Sequence, residues 1–263
     1  MILDDIIKHK KKELTELKLR FPEQRLIEGI EENRADHDVR SFARAIGTGH
    51  GTNIIAEIKK ASPTHGVIRE DFNPLMIAEL YELGGAKALS VLTETKYFMG
   101  RPSYLKTIRK VTKLPILRKD FIIEPYQVYE SAILSADAIL LIACLLSEQE
   151  LFKLILLAKK LGMDALVEVH TEEDLEKALM AKAEIIGINN RNLMTLEVNI
   201  KTAEHLLPKI PKGKIVIAES GFEKREEIDY YRSLGVYAFL IGTSLMKSPD
   251  ILTKLKTLRG KDA

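Results

Sequence analysis

Tryptophan is absent from the chain and cysteine occurs once, at Cys144. A lone cysteine excludes an internal disulfide and a thiolate cluster for structural zinc, so the expected compartment is the reducing cytoplasm. With 15 Gly and 9 Pro among 263 residues, the chain is neither collagenous nor low-complexity, and 46% hydrophobic with 30% charged residues is the composition of a folded globular protein. Long hydrophobic runs are missing too. The longest, Ala138 to Leu146, has nine residues, against about 20 for a membrane-crossing helix, and reads as a buried strand continuing into its loop. The N-terminal MILDDIIKHKKK mixes acids with bases and lacks the apolar stretch of a secretory signal, so export is not expected. Nor is there an excess of one charge: 40 basic against 38 acidic residues leave +2. No global field draws the protein to nucleic acid or anionic lipid, and any anion site must be built locally.

The first 45 or so residues read as helix, with Ile2, Ile6, Ile7, Leu14, Leu17, Leu19, Leu26 and Ile30 at three- and four-residue steps and a break at Phe21 and Pro22. The basic run His9 to Lys12, flanked by Asp4, Asp5, Glu13 and Glu16, reads as a solvated helix face rather than a nucleic-acid patch. From Asn53 onward eight short apolar runs alternate with amphipathic helical stretches. The runs start at Ile54, Lys87, Leu114, Ala138, Asp164, Ile185, Lys214 and Tyr237. Their starts lie 21 to 33 residues apart, the cadence of one strand plus one crossover helix. Helical stretches fall at Pro74 to Leu83, Glu124 to Leu134, Glu148 to Leu161, Glu172 to Ala181 and Lys224 to Leu234. Eight such units predict an α/β fold, a (β/α)8 TIM barrel with an N-terminal helical extension over 1–46, all within one domain of 1–263. An open doubly wound sheet is the rival. Its glycine fingerprint must follow a strand, whereas GTGHGTN (Gly47 to Asn53) precedes the first one and reads as a flexible link.

In such a barrel the active site lies at the C-terminal mouth, so inward-pointing charge at strand ends is informative. Period two in IIAEIKK puts Ile55, Glu57 and Lys59 on one face, about 6.6 Å between the last two along the strand. An unpaired buried charge is too costly to be merely structural. The alternative is a surface ion pair or a register shifted by one. LRKDF brings Lys119 to the mouth on the face of Leu117, and LVEVH brings Glu168 and His170 on the face of Leu166. Two lysines and two glutamates sharing a partly dry mouth shift one another's proton affinities and suit proton transfer. His170 reads as a loop residue or a support behind that group. IGINNRNL sets Asn189 and Arg191 at the sixth strand's exit, the guanidinium suited to a carboxylate or phosphate.

AESGF and IGTSLM end the seventh and eighth strands in small residues. Gly221 and Gly242 let backbone N–H groups near Ser220 and Thr243 approach an anion, at the loops where this fold commonly holds phosphate. The first βα loop, Ala61 to Pro74, exceeds the usual 2 to 6 residues and is expected to act as a lid. Phe98 and Phe121, after strands two and three, offer an apolar surface for a ring, although plain core aromatics would look the same.

The stretches IIAEIKKASPTHG, ALSVLTETKYFMG, LPILRKDFIIEPYQ, DALVEVH, IIGINNRNL, IAESGF and FLIGTSLM resemble, in order and spacing, the indole-3-glycerol phosphate synthase family. They span residues 54 to 247. The resemblance implies ring closure, decarboxylation and dehydration of 1-(2-carboxyphenylamino)-1-deoxyribulose 5-phosphate to indole-3-glycerol phosphate, without cofactor or metal. It casts Lys119 as the general acid and Glu168 and Lys59 as partners in later proton transfers, with Glu57 and Asn189 positioning them. Ser62, Arg191, Ser220, Gly221, Gly242 and Thr243 match the family's anion-binding positions, and Phe98, Phe121 and Leu193 its aromatic slot. Asn190, Thr243 and Met99 depart from the commoner residues, which bears on fine contacts only. The implied partner is a small phosphorylated substrate, with neither nucleic acid nor membrane. The implied form is a cytoplasmic monomer, or an associate of other tryptophan-pathway enzymes, with no fused second enzyme. Two rival readings are a Schiff-base aldolase using Lys59 or Lys119, and a catalytically silent phosphosugar-binding protein.

Overall fold

Each apolar run forms a strand: β1 Asn53–Ile58, β2 Ala88–Leu92, β3 Ile116–Lys119, β4 Ala138–Ile142, β5 Asp164–Val169, β6 Ile185–Asn189, β7 Ile215–Glu219 and β8 Ala238–Ile241. Neighbours pair in parallel, and β8 returns to β1 through Asn53↔Ala238 and Ile55↔Leu240 to close an eight-stranded barrel. The computed structural model describes residues 2–32, 39–47 and 51–260. Residues 48–50, within the glycine-rich link, and 33–38, within the N-terminal extension, lie outside the described residues. The predicted strand limits hold to within two residues. Leu114 and Pro115 stay outside β3, since proline brings no N–H to a ladder, although the Pro115 carbonyl accepts from Leu89 N–H at 2.9 Å.

The helices are α1 Ile2–Arg20, α2 Glu23–Glu32, α3 Phe42–Ile46, α4 Pro74–Leu83, α5 Ser103–Arg109, α6 Pro125–Ile133, α7 Glu148–Lys160, α8 Glu172–Met180, α9 Lys201–Leu206, α10 Arg225–Ser233, α11 Thr243–Met246 and α12 Ile251–Arg259. Proline opens α4 and α6 where its missing N–H costs nothing, and reciprocal capping by Ser147 with Glu150 and Thr171 with Asp174 starts α7 and α8. Among the described residues no helix is long and apolar enough to cross a membrane.

Strand alternation sorts the core into two shells. Ile54, Ala56 and Ile58 pack outward beneath the helices, while Ile55, Leu117, Leu166, Ile217 and Leu240 fill the barrel interior. The extension's helices serve opposite ends of that interior. Phe42 and Ile46 of α3 join the interior cluster at the N-terminal ends of the strands. There Ala43 N–H donates to Asp164 Oδ2 at 2.8 Å, and Asn53 Nδ2 to the Ile46 carbonyl at 3.0 Å. Helix α1 lies across the opposite end, where Leu3 and Ile6 pack against the mouth.

Two expectations for α1 are corrected. Its buried stripe runs Leu3, Ile6, Lys10, Leu14, so Leu19, five residues past Leu14, falls off the stripe and is 81% exposed. The run His9 to Lys12 is not simply a solvated face either. Lys11 and Lys12 are exposed, but Lys10 lies on the stripe and is buried between Asp120 and Glu13. The break at Phe21 and Pro22 falls as expected, between α1 and α2.

Candidate active site

At the C-terminal mouth the interior register delivers its charges. Lys119 Nζ donates to Glu168 Oε2 at 2.9 Å and to Glu219 Oε2 at 2.8 Å, so strands β3, β5 and β7 meet at one ammonium. Lys59 Nζ lies 2.6 Å from Glu57 Oε2, so these two form an ion pair, but at the rim of the interior and not on the outer surface. Asn189 Nδ2 donates to Glu168 Oε1 at 3.0 Å, while Asn189 Oδ1 accepts from Arg191 N–H at 2.9 Å. His170 Nδ1 donates to the Asn189 carbonyl at 2.7 Å, bracing that asparagine from behind as a supporting residue.

Glu219 is the residue missed by sequence reasoning. Its signal is the same period-two step from Ile217 that runs from Ile55 to Glu57, hidden beside the small residues that follow it in AESGF. The fold makes room for these carboxylates with glycine: a Cβ at Gly187 would overlap Glu219, and one at Gly242 would overlap Glu57. Burial pushes the Glu219 carboxyl up, to about 7, against the pull of Lys119, and Glu168 adds to the push. For Lys119, burial opposes its charge, but Glu168, Glu219 and Glu57 overrule it and hold the ammonium above the ordinary lysine range. A lysine kept so firmly protonated is a poor carbonyl nucleophile, which disfavours the Schiff-base reading for Lys119.

The native Glu219 carboxyl holds its proton more tightly than an unfolded one, whose value is 4.5. Folding therefore takes up a proton between about pH 4.5 and 7, and this group's contribution to stability falls as pH rises through that window. A carboxyl-resolved NMR titration should place the Glu219 midpoint near 7, and Glu168→Gln should move it down by removing one repelling carboxylate. A midpoint near 4.5 in the wild-type protein would contradict this.

Beside the charges lies an apolar slot. Phe98 and Phe121 face each other at 6.2 Å between ring centroids, and Leu3, Ile6, Leu140 and Leu193 complete the walls. Phe98 is held by its loop: buried Glu94 accepts from the N–H groups of Tyr97 at 2.7 Å and Phe98 at 2.9 Å. Phe121 is held by its carbonyl, which accepts from Gln127 Nε2 at 2.7 Å. The participation of α1 had no signal in the sequence, because an apolar stripe does not say which surface it will cover. Met99, on the same loop, adopts φ 53°, a conformation that larger side chains seldom take.

On the other side of Lys59 the cavity continues to Ser220, Gly221, Gly242 and Thr243. Ser220 and Gly221 follow β7 with φ 67° and 89°, a left-handed pair that turns the backbone sharply at the mouth. Arg191 lines both parts of the cavity, and its Nη1 donates to the Leu196 carbonyl at 2.7 Å. Ser62 lies in a short hairpin, Ala61–Ser62 against Gly66–Val67, that edges the mouth. Arg69 fastens this first βα loop by donating to the carbonyls of Met246 at 3.1 Å and Ser248 at 3.0 Å. The structure thus brings every residue predicted for the site to one continuous opening.

Fold and site define a (β/α)8-barrel enzyme with acid–base groups between an apolar slot and a glycine-lined recess. The profile of the family described as indole-3-glycerol phosphate synthase matches residues 3–258. The chain belongs to that family. It is 48% identical over 259 residues to the indole-3-glycerol phosphate synthase of Campylobacter jejuni subsp. doylei, covering 98% of this chain and 100% of that protein. It is 44% identical over 259 residues to the one from Alkaliphilus metalliredigens, covering 98% of each. Among solved structures, 3-hexulose-6-phosphate synthase from Salmonella typhimurium superposes with a TM-score of 0.63 at 13% identity, over 79% of this chain and 97% of that one. KGPDC from Streptococcus mutans gives 0.62 at 11% identity, over 79% and 95%. These two share the barrel fold.

Proposed function

We propose that this mouth closes the indole ring of 1-(2-carboxyphenylamino)-1-deoxy-D-ribulose 5-phosphate, with Lys119 as the general acid. As a member of its family the chain is a carboxy-lyase of tryptophan biosynthesis. The observation that carries the residue assignment is the Lys119 ammonium, held by Glu168 and Glu219 beside the Phe98–Phe121 slot.

The carboxyphenyl ring fills the slot, and the phosphate lies against Ser220, Gly221, Gly242 and Thr243, with Ser62 and Arg191 at its edge. The ketone then lies between, within reach of Lys119. The ring carbon bearing the carboxylate attacks the ketone carbon, and Lys119 gives its proton to the ketone oxygen. The nitrogen is left as an iminium, and the C–carboxylate bond breaks, its electrons returning through the ring to neutralise that charge as CO2 leaves. Dehydration follows: the new hydroxyl departs as water after gaining a proton, and the neighbouring carbon loses one, which makes the five-membered ring aromatic. Glu168 and Lys59 serve those later transfers, and Glu57 and Asn189 hold them in place. The proton transfers among these steps use side chains of this chain. Residues 1–263 work as one domain, a cytoplasmic monomer acting on a small phosphorylated substrate.

Adding that substrate to purified protein should produce indole fluorescence, against a dark background because the chain has no tryptophan. Folded protein that produces none would rule the reading out.

A further inference from the structure

We propose that Lys10 of α1 is a positioning residue for the aromatic end of the substrate, acting through Asp120. The proposal rests on the ring-slot reading given above. Lys10 carries a full charge into the core: its side chain is 5% exposed, and its Nζ lies 3.0 Å from Asp120 Oδ1 and 2.7 Å from Glu13 Oε2. An ammonium held this far from water needs its partners in place, and Asp120 is fully buried as well. Burial works against both charges, yet each is stabilised in its ionised form, Lys10 by Asp120 and Glu13, and Asp120 by Lys10 and Arg118.

The geometry around Asp120 shows what the tie controls. The same Oδ1 that receives Lys10 also accepts from Phe121 N–H at 2.8 Å. One carboxylate oxygen therefore joins the two walls of the slot: Phe121 on the barrel side, and α1, whose Leu3 and Ile6 lie over the pocket two turns and one turn before Lys10, respectively. The other oxygen, Oδ2, is bound by Thr93 at 2.6 Å and by Arg118 Nη2 at 3.1 Å, which anchors Asp120 in the barrel without α1. Lys119, although adjacent in sequence, takes its position from Glu168 and Glu219 on other strands. The tie thus sets the slot and leaves the acid alone. A further ion pair between α1 and the barrel, Lys18 with Glu124, is partly open to solvent and contributes little.

Lys10→Met keeps the apolar stem and removes the charge. It should raise the KM of the carboxyphenylamino substrate on the order of tenfold while leaving kcat within about threefold, the pattern of lost binding that is uniform along the reaction path. Inhibition by inorganic phosphate, which touches only the recess, should be unchanged. Lys10→Arg, which restores the cation, should recover most of the affinity. An unchanged KM in Lys10→Met would overturn the proposal, as would loss of kcat and phosphate affinity in step with KM, since that marks general loosening. No indole from the wild-type protein would instead overturn the underlying reading, and this inference with it.

Discussion

Lys119→Ala is expected to fold and to lose about 10³- to 10⁴-fold in kcat, with kcat/KM falling alongside. The barrel does not depend on this side chain for its core: Ile116 and Leu117 are buried independently of it, and Lys119 projects into the mouth. What disappears is the proton source for the ketone oxygen and the cation that holds Glu168 and Glu219 together. With the ammonium gone, two carboxylates are left side by side, and Glu219, already raised to about 7, should be driven higher still. Turnover by indole fluorescence checks the first effect, and the Glu219 titration in the same variant checks the second. Activity within tenfold of wild type would remove Lys119 from its role and return attention to Lys59.

The largest effect on stability is expected at Asp120. Its carboxylate is fully buried and meets two buried cations, Arg118 at 3.1 Å and Lys10 at 3.0 Å. Asp120→Ala strands both charges, and breaking such a network by removing one partner costs about 3–5 kcal/mol. For a chain of this size that corresponds to a fall in Tm on the order of 10 °C. Arg118 keeps Glu130 at 2.7 Å and Lys10 keeps Glu13, so collapse should not be complete. The pH dependence should change as well. Lys10 and Arg118 hold the native Asp120 carboxyl below its ordinary 3.8, so its contribution is present above that value and lost as pH falls through the native one. The variant should therefore lose part of the acid limb of its stability curve. A drop in Tm of less than about 2 °C would show that the cations find water or other partners.

Much of this was legible in the sequence, for identifiable reasons. Parallel strands buried on both faces read as short apolar runs, and their crossovers are commonly helical, so the sequence alone places eight strands. Period two then told Glu57, Lys59, Lys119 and Glu168 apart from outward neighbours such as Ile58 and Val167. The same rule applied to Ile217 would have found Glu219. Other features were not legible. The apolar stripe of α1 says that it packs, not that it packs over the mouth. Helical spacing puts Lys10, and not Lys11, on the stripe of Ile6 and Leu14, but its partner Asp120, 110 residues away, comes opposite it only in the folded chain. The fastening of the first βα loop by Arg69 depends likewise on the carbonyls of Met246 and Ser248, which only the closed barrel brings near.

The placing of Phe42 and Ile46 beneath the interior layer settles the traffic of small molecules. Filled by Ile55, Leu117, Leu166, Ile217 and Leu240 and backed below by α3, the barrel interior leaves the mouth a blind cup rather than a pipe. Substrate descends past α1, and whatever the chemistry releases must climb back by the same route. Carbon dioxide and water are small enough to pass a larger product held in the mouth. The phosphorylated product is not, so the opening must be vacated before it can be refilled.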